Sequence, residues 1–177
     1  DALGAFELLG EAEAAVHGTD LAETHFHEVG ADDAVADVVG SALLLHDLDP
    51  DRVVTTPLAP GGDTVEMHHG VYAVPPPAVV ELAARADWTL AASGGDRELL
   101  TPTGAAVLAQ VADGVDALPA LRVGAQGWGA GAADPPDRPN ALRALAGTGR
   151  GLRREPITVL ETNLDDATPE TLGSLHE

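Results

Sequence analysis

The residues in this chain best suited to chemistry begin with His25-Phe26-His27-Glu28. On a strand, residues two apart share a face at a spacing of about 7 Å. His25 and His27 can then converge on one metal while Phe26 packs behind them, and Glu28 falls beside Phe26 unless the strand bends. Two surface histidines on an edge strand would give the same pattern. Asp33 and Asp37 follow at an i, i+4 spacing on the next expected helix, so they stack on one side. In 100° steps they lie opposite an apolar stripe of Val35, Val39 and Ala42, as a solvated helix face would. Only a few residues join the histidines to that helix, so imidazoles and carboxylates can meet at its N-terminus. Such mixed donors suit Ni, Mn, Zn or Fe.

Three further segments carry polar groups. His68 and His69 stand in a stretch bounded by Gly and Pro, and adjacent loop side chains rarely point together, so one of them is expected to function. Glu98-Leu99-Leu100-Thr101-Pro102-Thr103-Gly104 offers a carboxylate and two hydroxyls ahead of a helix start. That start favours anions such as phosphate, although capping by Thr101 or Thr103 explains the same residues. Glu161 and Asn163 share a face of a hydrophobic strand, with Asp165 and Asp166 at its exit. Clustered hard oxygens there suit Mg²⁺ or Mn²⁺ with a nucleotide triphosphate, and a helix-capping turn is the plainer reading. Gly124 to Gly131 is glycine-rich but matches neither a Walker A loop nor a dinucleotide fingerprint. His17 and His46 fall at expected helix C-termini, where imidazolium suits the dipole, and are read as structural.

The elements that must position these groups alternate between helix and strand. Helices are expected over Ala2–Val16 (with Phe6, Leu9 and Val16 inward), from Asp32 or Asp33 to about His46 (with Val35, Val38, Val39, Ala42 and Leu45 covering one side), from Pro77, and after Thr101. Strands are expected at Thr24–Val29, Arg52–Leu58, Trp88–Ala92, Leu121–Gly131 and Asn140–Leu145, with a loop from Glu66 to Pro76. This order predicts a mixed α/β fold of layered helices and a mixed sheet. Residues 1–146 form the main domain, the patternless Gly- and Arg-rich residues 147–155 a linker, and residues 156–177 the start of a C-terminal domain.

Composition narrows the function. The chain has 177 residues, 29 acidic residues, nine Arg and no Lys, for a formal charge of -20. That field repels nucleic acid, and Lys-free acidity fits a salt-adapted proteome. With no Cys, thiolate metal sites, disulfides and cysteine nucleophiles are excluded, so any metal rests on His and oxygen ligands. Aromatic residues are 3%, so Val, Leu and Ala must make the core. No apolar run approaches the roughly 18 residues of a membrane span, and the expectation is a soluble, cytoplasmic protein.

Taken in order, HFHEVGADD with Asp37, HHG before a Pro-rich stretch, ELLTPTGAA, GWGAG, PNALR and LETNLDDATPE resemble the successive motifs of the nickel-insertion (LarC) family. HFHEVGA and TPTGAA are the specific blocks. The resemblance implies a nickel chelatase or cyclometallase of the lyase class. It implies insertion of Ni²⁺ into pyridinium-3,5-bisthiocarboxylic acid mononucleotide with hydrolysis of CTP and a need for Mn²⁺ or Mg²⁺. The product is the nickel-pincer cofactor, delivered to a lactate racemase-type apo-enzyme. By the same resemblance His25, His27, Glu28, Asp33, Asp37, His69 and Glu98 belong to the first part of the family pattern, and Glu161, Asn163, Asp165 and Asp166 open its C-terminal part. Of these, Glu28 and Glu98 are assigned catalytic roles. Thr101, Thr103, Glu161 and Asn163 are assigned to cofactor binding, and His25, His27, Asp33, Asp37, His69, Asp165 and Asp166 to metal. An Asp- and Gly-rich N-terminal segment and most of the CTP-binding part have no counterpart here, which implies a fragment inactive alone. A metal-dependent phosphohydrolase or nucleotidyl enzyme and a non-catalytic nickel-delivery module remain the competing readings, and a homo-oligomer remains open.

Overall fold

The structure, a computed structural model, describes residues 1–23, 32–67, 70–92, 96–133 and 140–149. It is a mixed α/β arrangement in which four α-helices, among the described residues, carry the core and strands pair two by two. Helix α1, Ala2–His17, starts on Asp1, whose carboxylate accepts from the Gly4 N–H at 2.8 Å. It ends at Gly18, whose left-handed φ of 65° lets the Gly18 and Thr19 N–H groups close on the Ala15 and Ala14 carbonyls, a glycine-specific stop. Helix α2 spans Asp32–Leu48, α3 Pro77–Arg85 and α4 Pro102–Val111. The prolines at the starts of α3 and α4 occupy positions where a missing N–H costs nothing.

Helices α1, α3 and α4 pack mutually, and α2 lies against α1 and α4. Their shared core is Leu9, Ala12, Ala34, Ala78, Val79, Leu82, Ala83, Trp88, Leu100, Ala105 and Ala106. Alanine dominates, so backbones approach closely; Gly4 of α1 is where the Gln110 side chain of α4 comes against the helix. Arg85 ties α3 to α1, with its guanidinium 2.9 Å from Glu81 and 2.7 Å from Glu11. The Glu81 hydrogen bond and both carboxylates hold its pKa above the ordinary guanidinium value against a partial desolvation.

Strand β1, Val53–Thr55, pairs in parallel with β4, Ala112–Gly114, beside an Arg52–Asp113 ion pair at 2.9 Å. The chain beyond β1 continues this layer by single bridges, Leu58 to Leu90 and Gly61 to Glu98. Strands β2, Thr64–Met67, and β3, Gly70–Ala73, form an antiparallel hairpin. Strands β5, Leu121–Ala130, and β6, Ala141–Gly149, form a longer one with an irregularity between Val123 and Ala125.

Several expectations need correction. The strand expected over Arg52–Leu58 is confined to Val53–Thr55, and Trp88–Ala92 contributes one bridge instead of a strand. The loop expected from Glu66 to Pro76 contains the end of β2 and all of β3. Leu9 is buried as expected, but Val16 is exposed, and Ala5 and Ala12 face inward with Leu9. On α2 Val38 is buried as expected, together with Ala34, while Val35 and Val39 face solvent. Strand β6 runs through Gly149, so residues 147–149 are strand where a linker was expected. The expected strand at Thr24–Val29 and the division at residues 156–177 lie outside the described residues. No helix among the described residues is long and apolar enough to cross a membrane.

Candidate metal and nucleotide site

Two described segments present the groups singled out in the sequence. The first is the start of α2. Asp32 and Asp33 occupy its first turn, where carboxylates complement the positive end of the helix dipole. Asp33 Oδ1 accepts from the Ala34 N–H at 2.8 Å. Asp33 and Asp37 are both exposed. With Ala34 and Val38 inward, 100° steps put the two aspartates on the flank of the packed face and not opposite it. They stack on one side of the helix, one turn apart, and immediately follow the His25–Glu28 segment in sequence.

The second segment leads into α4. Leu99 donates to the Pro60 carbonyl at 2.9 Å and Gly62 donates to the Arg97 carbonyl at 3.1 Å. This clamps Glu98 antiparallel to Gly61. Gly61 has φ 98°, and a Cβ there would collide with the Arg97 carbonyl and the Leu99 nitrogen. Only glycine permits this approach. Leu100 then plugs into the core, so the segment carrying Glu98 is held from both ends. One carboxylate oxygen of Glu98, Oε1, is withdrawn from solvent.

Thr101 caps α4: its hydroxyl accepts from the Gly104 N–H at 3.2 Å, and its carbonyl accepts from Ala105 at 2.9 Å. Pro102 has no N–H to give. The start of α4 therefore uses most of its own donors, and Thr103, half-buried, is what it still offers a ligand. Helices α2 and α4 pack against one another, so both segments belong to one helical layer.

Among the described residues no three His, Asp or Glu side chains come together as a metal cluster. Asp33, Asp37, Glu98, Thr101 and Thr103 are described. His25, His27, Glu28, His69, Glu161, Asn163, Asp165 and Asp166 lie outside the described residues, as does the expected convergence of the two histidines on α2. His17 and His46 take the last turns of α1 and α2 as expected, and His17 lies 3.5 Å from Glu13. Gly61 has no role in the sequence reading above, although the doubled glycine next to a proline was the available sign of a close approach. The glycine block is strand from 124 to 130, with the Arg143 guanidinium 5.4 Å from the Trp128 ring centroid, and not a phosphate loop.

Comparison with known proteins is extensive. Residues 1–177 match the family model described as nickel insertion protein. A relative from Methanococcoides burtonii is 46% identical over 100% of this chain and 44% of its own length. One from Pelobacter propionicus is 48% identical over 97% of this chain and 43% of its own. One from Methanosarcina mazei is 47% identical over 99% and 45%. All three carry the name "Putative nickel insertion protein". The chain thus spans less than half the length of these relatives. No solved structure matches it significantly.

Proposed function

The chain belongs to the nickel insertion protein family, and from that premise we propose that it serves to insert Ni²⁺ into pyridinium-3,5-bisthiocarboxylic acid mononucleotide, in a CTP-dependent reaction that completes the nickel-pincer cofactor. The observation that carries the reading is the match along the whole chain, with the HFHEVGA and TPTGAA blocks in family order. Ni²⁺ is the cargo. His25 and His27 hold it with Asp33 and Asp37, a borderline donor set that binds nickel yet can release it to sulfur. His69 completes or relays the set. Exposure of both aspartates at the start of α2 suits ligands that must hand a metal on, since a fully enclosed site would trap it.

Insertion forms two nickel–sulfur bonds and one nickel–carbon bond, and the ring carbon gives up a proton. A carboxylate takes that proton. Glu28, beside the histidines, and Glu98, held rigidly against the Pro60–Gly62 turn, are the two assigned to it. Mn²⁺ or Mg²⁺, carried with CTP, would supply charge neutralisation at the phosphates. Asp165 and Asp166 would hold that ion, with Glu161, Asn163, Thr101 and Thr103 around the nucleotide. The finished cofactor passes to a lactate racemase-type apo-enzyme in the cytoplasm.

The test is nickel transfer by the whole protein to synthetic precursor, with and without CTP, followed by the absorbance of the metallated ring. Transfer that requires both CTP and precursor supports the reading. Turnover of a phosphate ester without precursor, or nickel binding without any transfer, overturns it in favour of a hydrolase or a delivery module.

A further inference from the structure

The β5–β6 ribbon is built unlike the rest of the chain. Its strands pair with each other, and no other described element packs extensively on either. A two-stranded ribbon alone in water is marginal. The register places Trp128 opposite Arg143, Gln126 opposite Leu145 and Val123 opposite Gly147, all on one face. The other face carries Arg122, Leu142 and Thr148 among Ala and Gly. The bulky face is open: Val123 is 54% and Trp128 60% exposed. The strands also contain no Asp or Glu, in a chain that has 29, and carry Arg122 and Arg143.

A second face lacks a partner and has the opposite charge. Val35, Val39 and Leu43 recur every fourth residue on α2 and are 46%, 38% and 63% exposed. Helical geometry places Asp32 and Asp47 on the same side, at the two ends of that stripe. The stripe is about 12 Å long from Val35 to Leu43 at 1.5 Å per residue. It fits under a ribbon on which Val123 and Trp128 are roughly 17 Å apart. Among the described elements α2 packs only on α1 and α4, with the ribbon elsewhere.

We propose that the bulky face of the β5–β6 ribbon docks on the outer stripe of α2 in a second copy of this chain, each copy giving its ribbon to the other. Charge selects this pairing. Ribbon against ribbon would bring arginines together with no carboxylate between them, whereas ribbon against α2 sets Arg143 towards Asp32 or Asp47. Size favours reciprocity. The outer face of α2 from Asp32 to Asp47, about 22 Å by 10 Å, limits one contact to about 450 Å² counted on both partners. Used twice about a two-fold axis, it gives about 900 Å², the size of weak, reversible interfaces.

The experiment uses the whole protein in a cysteine-free form; this chain contributes no cysteine of its own. Ala36→Cys on α2 and Gln126→Cys on the ribbon are made separately, mixed, and treated with a short bismaleimide. Both residues are solvent-facing or on the open ribbon face, so both variants fold. The mixture should yield the interchain cross-link between the two sites, well above either variant alone. By sedimentation, Trp128→Ser or Arg143→Glu should weaken self-association at least tenfold, and Asp32→Arg with Asp47→Arg should restore it to the Arg143→Glu protein. A monomer at ~100 µM, self-association untouched by the ribbon variants, or cross-linking confined within single chains in a protein carrying both cysteines would each overturn the proposal.

Discussion

Replacing Gly61 by alanine tests whether the turn behind Glu98 works as a clamp. Gly61 has φ 98°, and the new Cβ would be driven into the Arg97 carbonyl and the Leu99 nitrogen. The backbone conformation alone costs about 1–3 kcal/mol in a residue with a side chain. Parting the two segments also loses the Leu99–Pro60 and Gly62–Arg97 hydrogen bonds, at about 1 kcal/mol each. Reduced freedom of the unfolded chain returns about 0.5 kcal/mol, leaving a loss of roughly 2.5–4.5 kcal/mol. Gly18 is the control. Its φ is 65° with nothing within 4 Å of a built Cβ, so Gly18→Ala carries only left-handed strain of about 1–2 kcal/mol less the same offset. Urea denaturation followed by far-ultraviolet circular dichroism reads both, with slopes compared so that only midpoints enter. Gly61→Ala should lose about 1–4 kcal/mol more than Gly18→Ala. Equal losses would refute the close approach at Gly61, and with it the fixed position assigned to Glu98.

Three other outcomes follow. Leu82, fully buried in the core, should cost about 2–5 kcal/mol when cut to Ala, read from the same denaturation curves. Thr101→Ala should cost about 1 kcal/mol and Thr101→Ser little; lost nucleotide affinity at unchanged stability would instead make the hydroxyl a ligand. Changing His25 and His27 together to Ala should abolish tight Ni²⁺ binding by calorimetry, while His17→Ala and His46→Ala leave it unchanged. Wild-type affinity should fall as pH drops through the ordinary imidazole range, because protons take the same nitrogens. It should hold in about 1–2 M salt, where the loose attraction of a charged surface is screened. Tight binding by the double variant would move attention to His69 and the Asp165–Asp166 pair.

Helix existence was legible because capping and proline signals are local. Asp1, Gly18, Pro77 and Thr101-Pro102 mark starts and stops whose chemistry involves only near neighbours. Which face of α2 turns inward was legible only in part. Val38 was read on the apolar side and is buried, but hydropathy ranks Val35 and Val39 above Ala34, and it is Ala34 that turns into the alanine-rich core. The β2–β3 hairpin escaped notice because four-residue strands flanked by Gly and Pro lack room for a clear alternation. For the site, spacing named the donors on each segment. It could not tell that Glu98 is pinned by Gly61, since that contact joins residues far apart in sequence.

The alanine-rich core has a thermal consequence. An alanine side chain has no rotamers to lose on folding, so its burial is opposed by less configurational entropy than that of longer residues. It also withdraws little apolar area, and the outer stripe of α2 and the β5–β6 ribbon withdraw less still in a single copy. Exposure of apolar area sets the heat capacity of unfolding. The curve of stability against temperature is accordingly shallow and broad, with a low summit. Such a chain changes little in stability between cold and warm water, and association, by adding buried area, would both raise that summit and sharpen it.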